Sequence, residues 1–524
     1  MQEGADMLMW PAPLAAVLAL ALVLAAPAQG QSLDAADAAR AKGDLAGAAA
    51  AFAAVANSAS AAPALRYEAL VGLASVQAAQ NKGADAIATL TAANKLDAKR
   101  PEALRERGML LAAAAKLDEA LEDLDAAVKL APDDRDGHLA RAGVLAQRRM
   151  FEDALTDYNI ALDLDPDDAA AYMARGLVHV ELGRFRRAID DFDDAVRLVP
   201  DMIEALIQRA MSYAEIGNAT AAVRDFSTAL RMKPNQARTL VGRAQAYMDL
   251  DQDDRALADF DAVLKLEPRN LDALIGRAQI LAEAGQRERA VADYDAALAV
   301  DPKNVAVLHG RGSLRAELGQ TEPAIRDFDA ALAIDPKSPE VLVSRGLARA
   351  DRGEFPAAAA DFTAAFAADP TSASAVIARG RSYVMAGDYA KAEPDLALIV
   401  SAAPDDPYHA LWLYLARARG GKDGKAALAS AAPKFGTDWP KAAVGMFLGQ
   451  SQPADVLKAA QDKDPKRQAE LQCEAQFFIG QQALLAGNRA AAEQAFRAVL
   501  ATKAARFDEF RGARAELARM GAKP

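Results

Sequence analysis

Arginine and aspartate recur along this chain at a fixed spacing. An arginine returns every 34 residues from Arg107 to Arg379, and an aspartate follows each one 16 residues later, from Asp123 to Asp395. A guanidinium and a carboxylate at constant separation can form structural ion pairs or a row of anion sites. Because both charges occur in equal number, we favour a structural ladder of ion pairs, within or between repeats. Its central members are Arg175, Asp191, Arg209, Asp225, Arg243 and Asp259.

A second series of acidic residues follows the same spacing through six successive repeats. It consists of Glu181, Glu215, Asp249, Glu283, Glu317 and Asp351. A row of carboxylates raises the local concentration of a positively charged ligand. The same row could also be a solvated rim near helix ends that binds nothing. The sequence leaves these two interpretations open.

The residue types of a catalytic or metal site are scattered through the chain. The four histidines are far apart in sequence, and the single cysteine, Cys473, stands at the start of a predicted helix without a histidine nearby. No Cys/His spacing resembles a metal site, and a thiol needs a basic neighbour to become reactive. We therefore predict no enzyme, no cofactor, no metal and no small-molecule substrate.

The charged positions belong to a 34-residue repeat that occurs nine times without insertion between Pro101 and Asp406. With Ala169 as position 1, the residues at positions 4, 8 and 11 share one helix face. Positions 20, 24, 27 and 28 share the face of a second helix. Position 20 is always alanine and position 24 is usually aromatic, while glycine at 15 and proline at 32 terminate the helices. One such pair cannot bury its apolar face, so the repeats must stack.

The order small-8, small-20, aromatic-24, small-27, proline-32 resembles the tetratricopeptide repeat (TPR). That resemblance implies an all-α fold, a TPR α-solenoid in which helix-turn-helix repeats form a right-handed superhelix. It also implies that first-helix positions 2, 5, 6, 9, 12 and 13 line a concave groove. The six acids of the second series occupy position 13, and Met211 occupies position 9. The resemblance therefore suggests a partner-binding groove with a mostly apolar floor, suited to a basic, extended or helical protein segment.

Residues 1–28 resemble a secretory signal peptide. Leu14 to Ala26 is an uncharged run of 13 residues, too short for a membrane span, and Ala26-Pro27-Ala28 offers a small-residue cleavage site. No lysine or arginine precedes the run, and a start at Met7 or Met9 would remove the two acids ahead of it. We expect an exported, periplasmic protein. No lipid anchor is expected, because no cysteine lies near the cleavage site.

The repeats are less regular at both ends of the array. Residues 29–100 contain degenerate helical repeats, with a small-residue linker from Asn57 to Pro63. After Asp406 the period breaks, and residues 407–524 form a different helical region. That region ends in a TPR-like unit at 473–506, with Gly480 and Phe496 at positions 8 and 24, and in a closing helix.

The C-terminal region also resembles the NlpI family of bacterial periplasmic lipoproteins. The matching segments are the LWLYLA stretch at 411–416, Trp439, the FLG at 447–449 and the stretch from Cys473 to Phe496. This resemblance implies a non-catalytic TPR scaffold or adaptor in the cell envelope that links a protease to cell-wall hydrolases. The missing lipoprotein cysteine and the longer array are departures from that family.

Two other functions remain open. The chain could be an accessory subunit of an outer-membrane assembly or polysaccharide-export complex, and hence part of a membrane-associated complex. It could also be a cytoplasmic regulator if the leader is not a signal. The formal net charge of −12 argues against a nucleic-acid partner, since binding phosphates requires clustered Lys and Arg. The sequence identifies neither the partner nor the oligomeric state.

Overall fold

The computed structural model describes residues 31–522, where all regular structure is helical. The described residues form two compact units, the first ending at Leu266 and the second beginning at Glu267. The predicted signal peptide, residues 1–28, lies outside the described residues. The first unit contains α1 (Gln31–Ala41), α2 (Leu45–Ala56), α3 (Pro63–Ala79), α4 (Gly83–Leu96), α5 (Glu102–Ala113), α6 (Leu117–Leu130), α7 (Arg135–Gln147), α8 (Phe151–Leu164), α9 (Ala169–Glu181), α10 (Phe185–Leu198), α11 (Ile203–Glu215), α12 (Ala219–Met232), α13 (Ala237–Met248) and α14 (Asp253–Leu266).

The second unit begins with repeat helices and ends with shorter and longer ones. Its helices are α15 (Leu271–Glu283), α16 (Arg287–Val300), α17 (Val305–Glu317), α18 (Thr321–Ile334), α19 (Pro339–Asp351), α20 (Phe355–Ala368), α21 (Ala373–Ala386), α22 (Tyr389–Ala402), α23 (Pro407–Arg419), α24 (Lys425–Ala431), α25 (Lys441–Leu448), α26 (Pro453–Ala459), α27 (Pro465–Leu485), α28 (Arg489–Ala501) and α29 (Asp508–Arg519). No helix between residues 31 and 522 has the length and apolar character needed to cross a membrane.

Each 34-residue repeat is one pair of helices joined by a tight turn. In the third repeat, Gly183 adopts φ +66 between α9 and α10, and α10 ends just before Pro200. The residues at this turn position in other repeats, Ala115, Arg149 and Asp251, adopt φ values of 59, 59 and 54. A side chain in this left-handed region costs about 1–2 kcal/mol. The packing of the helix pair therefore imposes the turn even where no glycine permits it freely.

The core of most repeats is an aromatic ring that packs against a residue with little or no side chain, and Leu124 and Leu396 take the place of the ring in the first and ninth repeats. Position 20 is a fully buried alanine in all nine repeats. In the third repeat, Phe192 is 0% exposed, and a Cβ built on Gly176 would lie 2.6 Å from its ring. The ring of Phe226 also lies against Gly242 of the following repeat, 2.7 Å from the position of its missing Cβ. The small residue on the far side of the Phe226 ring thus lets the following repeat pack closely against it.

The N-terminal region continues the same construction with weaker residues. Gly43, at φ +77, joins α1 to α2, and Ala48 and Phe52 are buried where the repeat has its alanine and its ring. The helices α3 and α4 form the next pair. The left-handed residue of their turn is Asn81, at φ 59.

One helix start in the C-terminal region differs from the prediction. The helix expected to begin at Cys473 begins at Pro465, because Asp464 caps it by accepting from the backbone N–H of Lys466. Cys473 is therefore in the interior of α27. His409 lies in the first turn of α23, which Pro407 begins and Asp406 caps.

Candidate interaction surface

The arginine at position 7 binds the aspartate at position 23 of its own repeat in all nine repeats. The shortest N···O distance in each pair is between 2.5 and 2.7 Å. In the fourth repeat, Nε of Arg209 donates to Oδ2 of Asp225 at 2.6 Å and Nη2 donates to Oδ1 at 2.9 Å. Two parallel hydrogen bonds of this kind fix the orientation of both groups. The ladder therefore holds the first helix of a repeat to the second helix of the same repeat.

The third nitrogen of the same guanidinium connects neighbouring repeats. Nη1 of Arg209 donates to Asp193, at position 25 of the preceding repeat, at 2.7 Å. The repeat spacing is compatible with pairs within or between repeats, and the structure shows contacts of both kinds. Other ladder arginines donate in the same way to position 25 of the preceding repeat in their unit. The pairs are Arg107–Thr91, Arg141–Asp125, Arg175–Asn159, Arg243–Ser227, Arg311–Asp295 and Arg345–Asp329.

The two aspartates that bind Arg209 differ in exposure. Asp225 exposes 5% of its side chain and Asp193 exposes 51%. Burial opposes the charge of Arg209, but the hydrogen bonds and charge of Asp225 outweigh it and raise the pKa of Arg209 above its usual value. The ladder is thus a half-buried part of the scaffold. Each of its nine guanidinium groups already binds a carboxylate of the chain, so the ladder is not a row of anion sites.

The six acids at position 13 stand where the first helix of each repeat ends. Glu215, for example, is the last residue of α11, and Asp249 follows the last residue of α13. A negative charge at this end opposes the helix dipole by about 0.3–1 kcal/mol. The stability of the individual helices therefore does not explain why acids recur here.

The structure divides these six acids into two groups. Glu181 lies 3.8 Å from Arg149, Glu317 pairs with Arg287 at 2.5 Å, and Asp351 pairs with Arg511 at 2.5 Å. The other three, Glu215, Asp249 and Glu283, are exposed and form no ion pair within residues 31–522. The series predicted as one uniform stripe is therefore half neutralised by the chain itself.

Partly exposed apolar side chains accompany the acids on the first helices. Met211 is half-buried, and its Sδ lies 3.7 Å from a guanidinium nitrogen of Arg238. Leu347, at the same position 9 in the eighth repeat, is 39% exposed. Carboxylates next to exposed apolar groups form a surface that fits an amphipathic segment better than a fully hydrated one.

The chain's own last helix occupies one end of this surface in the second unit. Arg511 of α29 binds the carboxylate of Asp351, and Arg514 donates to the backbone carbonyl of Asp351 at 2.9 Å. Arg519 reaches the backbone carbonyl of Met385, the position-13 residue of the ninth repeat, at 3.2 Å. The sequence predicted the closing helix but not this contact. The recurring arginines of that helix were the one signal available.

Comparison with known proteins identifies the repeat. Family profiles described as tetratricopeptide repeat match residues 142–205 and 278–343, and also 71–135, 105–158, 207–270, 241–286 and 343–407. Together these matches cover more than half of the chain. The chain belongs to the tetratricopeptide-repeat family. The predicted all-α fold of helix-turn-helix repeats is thus confirmed, and proteins of this family mediate protein–protein interactions and are typically non-catalytic scaffolds.

Several solved structures are similar to parts of this TPR chain. A tetratricopeptide repeat protein from Parabacteroides merdae is 23% identical over 47% of this chain and 97% of its own, with a TM-score of 0.35. YrrB, a TPR protein with an unusual peptide-binding site, is 24% identical over 36% of this chain and 98% of its own, with a TM-score of 0.34. The C-terminal part of a Cytophaga hutchinsonii TPR protein is 20% identical over 45% and 97%, with a TM-score of 0.40. No curated protein sequence matches the chain.

The histidines of the TPR array lie in or beside its core. His138 is 3% exposed, with Nδ1 at 2.8 Å from the ladder carboxylate of Asp157. His179 is 8% exposed, and its Nδ1 has no hydrogen-bond partner among the described residues. Cys473 is fully buried, and burial raises the pKa of its thiol to about 12. A thiol with so high a pKa is not a nucleophile at neutral pH.

His179 gives the array a dependence on pH that can be measured. Burial, with help from nearby arginines, lowers the pKa of His179 to about 4 from an ordinary 6.5. Between these values the unfolded chain binds a proton that the folded chain excludes. Lowering the pH through this window therefore destabilises the fold by about 1.4 kcal/mol per pH unit.

A His179→Gln variant should lose about 2–3 kcal/mol less stability than the unmodified protein between pH 7.5 and pH 4.5. Urea denaturation of both proteins at the two pH values measures this difference. The other ionisable groups are common to both proteins and cancel. Equal losses in the two proteins would show that His179 titrates normally.

Proposed function

We propose that this TPR chain is a non-catalytic adaptor that binds arginine- or lysine-bearing segments of partner proteins. The binding site is the position-13 surface, which consists of the six position-13 acids and the partly exposed apolar side chains beside them on the first helices. The observation that carries this proposal is the contact between Asp351 and Arg511 of α29. In that contact, the guanidinium of an arginine on the last helix binds the carboxylate of one position-13 acid, at the end of the first helix of its repeat. The same chemistry is available to a partner at the acids that the chain leaves unpaired.

The unpaired acids lie in both units. In the first unit, Glu215 and Asp249 are exposed in successive repeats, and half-buried Met211 precedes Glu215 on α11. In the second unit, Glu283 is the one position-13 acid that is exposed and forms no ion pair among the described residues. Unpaired surface carboxylates accelerate the encounter with a basic partner, and the apolar neighbours supply contact area once it is bound.

A charge-reversal experiment in the first unit tests this proposal. The probe is a 16-residue amphipathic helical peptide with arginines and lysines on its polar face, compared with the same peptide carrying glutamates there. We expect the basic peptide to bind the protein at least tenfold more tightly, and a Glu215→Lys/Asp249→Lys variant to abolish that preference. Fluorescence anisotropy at low and high salt measures both effects, since surface charge attraction weakens with salt.

The matched control changes the charge of the first unit equally at other exposed acids. Asp163→Lys/Asp201→Lys replaces two exposed aspartates that form no ion pair among the described residues. This control should keep the preference for the basic peptide. Equal losses in the two variants would indicate general charge attraction and would contradict a site at position 13.

We also propose that the protein acts in the cell envelope, where it brings a protease together with cell-wall hydrolases. The support is the signal-like leader, with its apolar run from Leu14 to Ala26, and the similarity of residues 407–524 to NlpI-type proteins. Mass spectrometry of the protein from its native cells should find a mature N-terminus just after Ala28. A chain that retains Met1, or begins at Met7 or Met9, would contradict export by a cleaved signal.

A further inference from the structure

A cavity of about 500 Å³ lies in the second unit, between the start of α23 and the segment that precedes α25. It does not involve any acid of the position-13 series. Three aromatic residues and three aspartates line it, together with one lysine and small residues. The lining residues are Ala403, Asp405, Asp406, Pro407, Tyr408, Phe435, Gly436, Asp438, Trp439 and Lys441.

One buried carboxylate holds two of the three aromatic side chains in place. Glu474 of α27 is 4% exposed and accepts from the hydroxyl of Tyr408 at 2.8 Å and from Nε1 of Trp439 at 2.5 Å. The third ring, Phe435, is 5% exposed. The rings are therefore ordered before any ligand arrives, so that binding does not have to immobilise them.

The charges around the cavity are predominantly negative. Asp405 and Asp438 are exposed and form no ion pair within the described part of the chain. Asp406 accepts from the backbone N–H groups of Tyr408 and His409 and lies 3.6 Å from the His409 ring. Lys441 is exposed and forms no ion pair among residues 31–522. Three carboxylates therefore face one ammonium group at the cavity.

Aromatic rings and carboxylates share one preference, which is for a cation. The face of an aromatic ring attracts a positive charge, and the attraction grows as the cation loses water. An anionic group would be repelled by the three carboxylates. The cavity opens at the surface beside the turn between α22 and α23, where a side chain projecting from another protein can enter.

We propose that this cavity binds the ammonium group of a lysine side chain carried by a partner protein. Trp439, Tyr408 and Phe435 surround the alkyl chain and the charge, and Asp405 and Asp438 neutralise it at the entrance. Glu474 is a positioning residue that acts through the two rings. The site is independent of the position-13 surface, so that one partner can be held at either place or at both.

Fluorine NMR on protein labelled with 5-fluorotryptophan tests the site directly. The chain has three tryptophans, and Trp→Phe variants assign their resonances. The probe is a capped nonapeptide of glycine and serine with one central lysine, compared with the same peptide carrying acetyl-lysine. We expect the lysine peptide to shift the Trp439 resonance with saturation and to leave fully buried Trp412 unchanged. The neutral acetyl-lysine peptide should bind at least tenfold more weakly.

Two pairs of variants separate the cavity from general charge effects. Asp405→Asn/Asp438→Asn should weaken binding of the lysine peptide at least tenfold, as judged by the same Trp439 shift. Glu288→Gln/Asp462→Asn removes two exposed acids elsewhere in the second unit and should leave the affinity unchanged. Equal weakening by both pairs would overturn the proposal.

Two further results distinguish lysine binding in the cavity from binding at the position-13 surface and from binding of a small cation. In a Glu215→Lys/Asp249→Lys variant the lysine peptide should still shift the Trp439 resonance. If the variant no longer shows this shift, the peptide binds at the position-13 surface instead. Tetramethylammonium chloride that shifts Trp439 while the lysine peptide does not would assign the cavity to a small organic cation and contradict a protein ligand. A Trp439 resonance that no cation moves would overturn the site altogether, without bearing on the position-13 surface.

Discussion

Replacing Phe192 with alanine should lower the local stability of the third repeat by about 4 kcal/mol, the largest effect we expect from one substitution. Phe192 is fully buried, and loss of a core phenylalanine costs about 3–5 kcal/mol, because apolar contact is lost and a cavity remains. Hydrogen exchange of the amides in α9 and α10 measures the local free energy of opening. Val199→Ala, at a 37% exposed position of the same repeat, should cost less than about 1 kcal/mol.

Gly176 provides the second half of this experiment. In the unmodified protein Gly176→Ala gains about 1 kcal/mol of helix propensity. It also forces a Cβ to within 2.6 Å of the Phe192 ring, and such overpacking costs about 1–3 kcal/mol. The net effect should be destabilising. In the Phe192→Ala background the added methyl group has room, so the same substitution should become stabilising. An unchanged sign would show that the ring and the glycine are not coupled.

Replacing Asp225 with alanine should cost about 3 kcal/mol, the second largest effect. It leaves the guanidinium of Arg209 without its buried partner, and breaking a buried pair from one side typically costs about 3–5 kcal/mol. Arg209 exposes 16% of its side chain, so water offsets part of that cost. Hydrogen exchange in α11 and α12 should show the loss.

The same arginine supplies the control, because Asp193 binds it from the preceding repeat at an exposed position. Asp193→Ala should cost less than about 1 kcal/mol, as exposed ion pairs usually do. Burial, rather than the presence of an ion pair, would then account for the difference between the two aspartates. Small and equal losses for both variants would mean that the ladder contributes little to stability and that its regularity sets helix register instead.

The position-13 acids show where a repeat pattern stops being informative. By sequence all six are equivalent, since each lies 34 residues from the next. In the structure, arginines that are not part of the repeat pattern make the acids different. Arg149, which contacts Glu181, stands at the turn position where most repeats have glycine. Arg511, which binds Asp351, lies 160 residues further along the chain. No spacing rule links those arginines to the acids, because they do not recur with the period.

The sequence analysis did not predict the cavity beside Trp439, and the reason is similar. Its residues come from 403–408 and 435–441, and the carboxylate that orders its rings is Glu474. Nothing in the sequence alone connects Tyr408 to Trp439, or either residue to Glu474. They become a site because the packing of α23, α25 and α27 brings them to one carboxylate.

The local architecture of this protein follows from its sequence without further information. A strict 34-residue period, with alanine at 20, a ring at 24 and proline at 32, specifies helix pairs that must stack, since each interface is formed by neighbours in the chain. Three other features became visible in the folded chain: the charges that remain free, the return of α29 onto Asp351, and the cavity enclosed by the rings near Trp439. These depend on contacts between residues distant in sequence, where neither helical periodicity nor the repeat restricts the choice of partner.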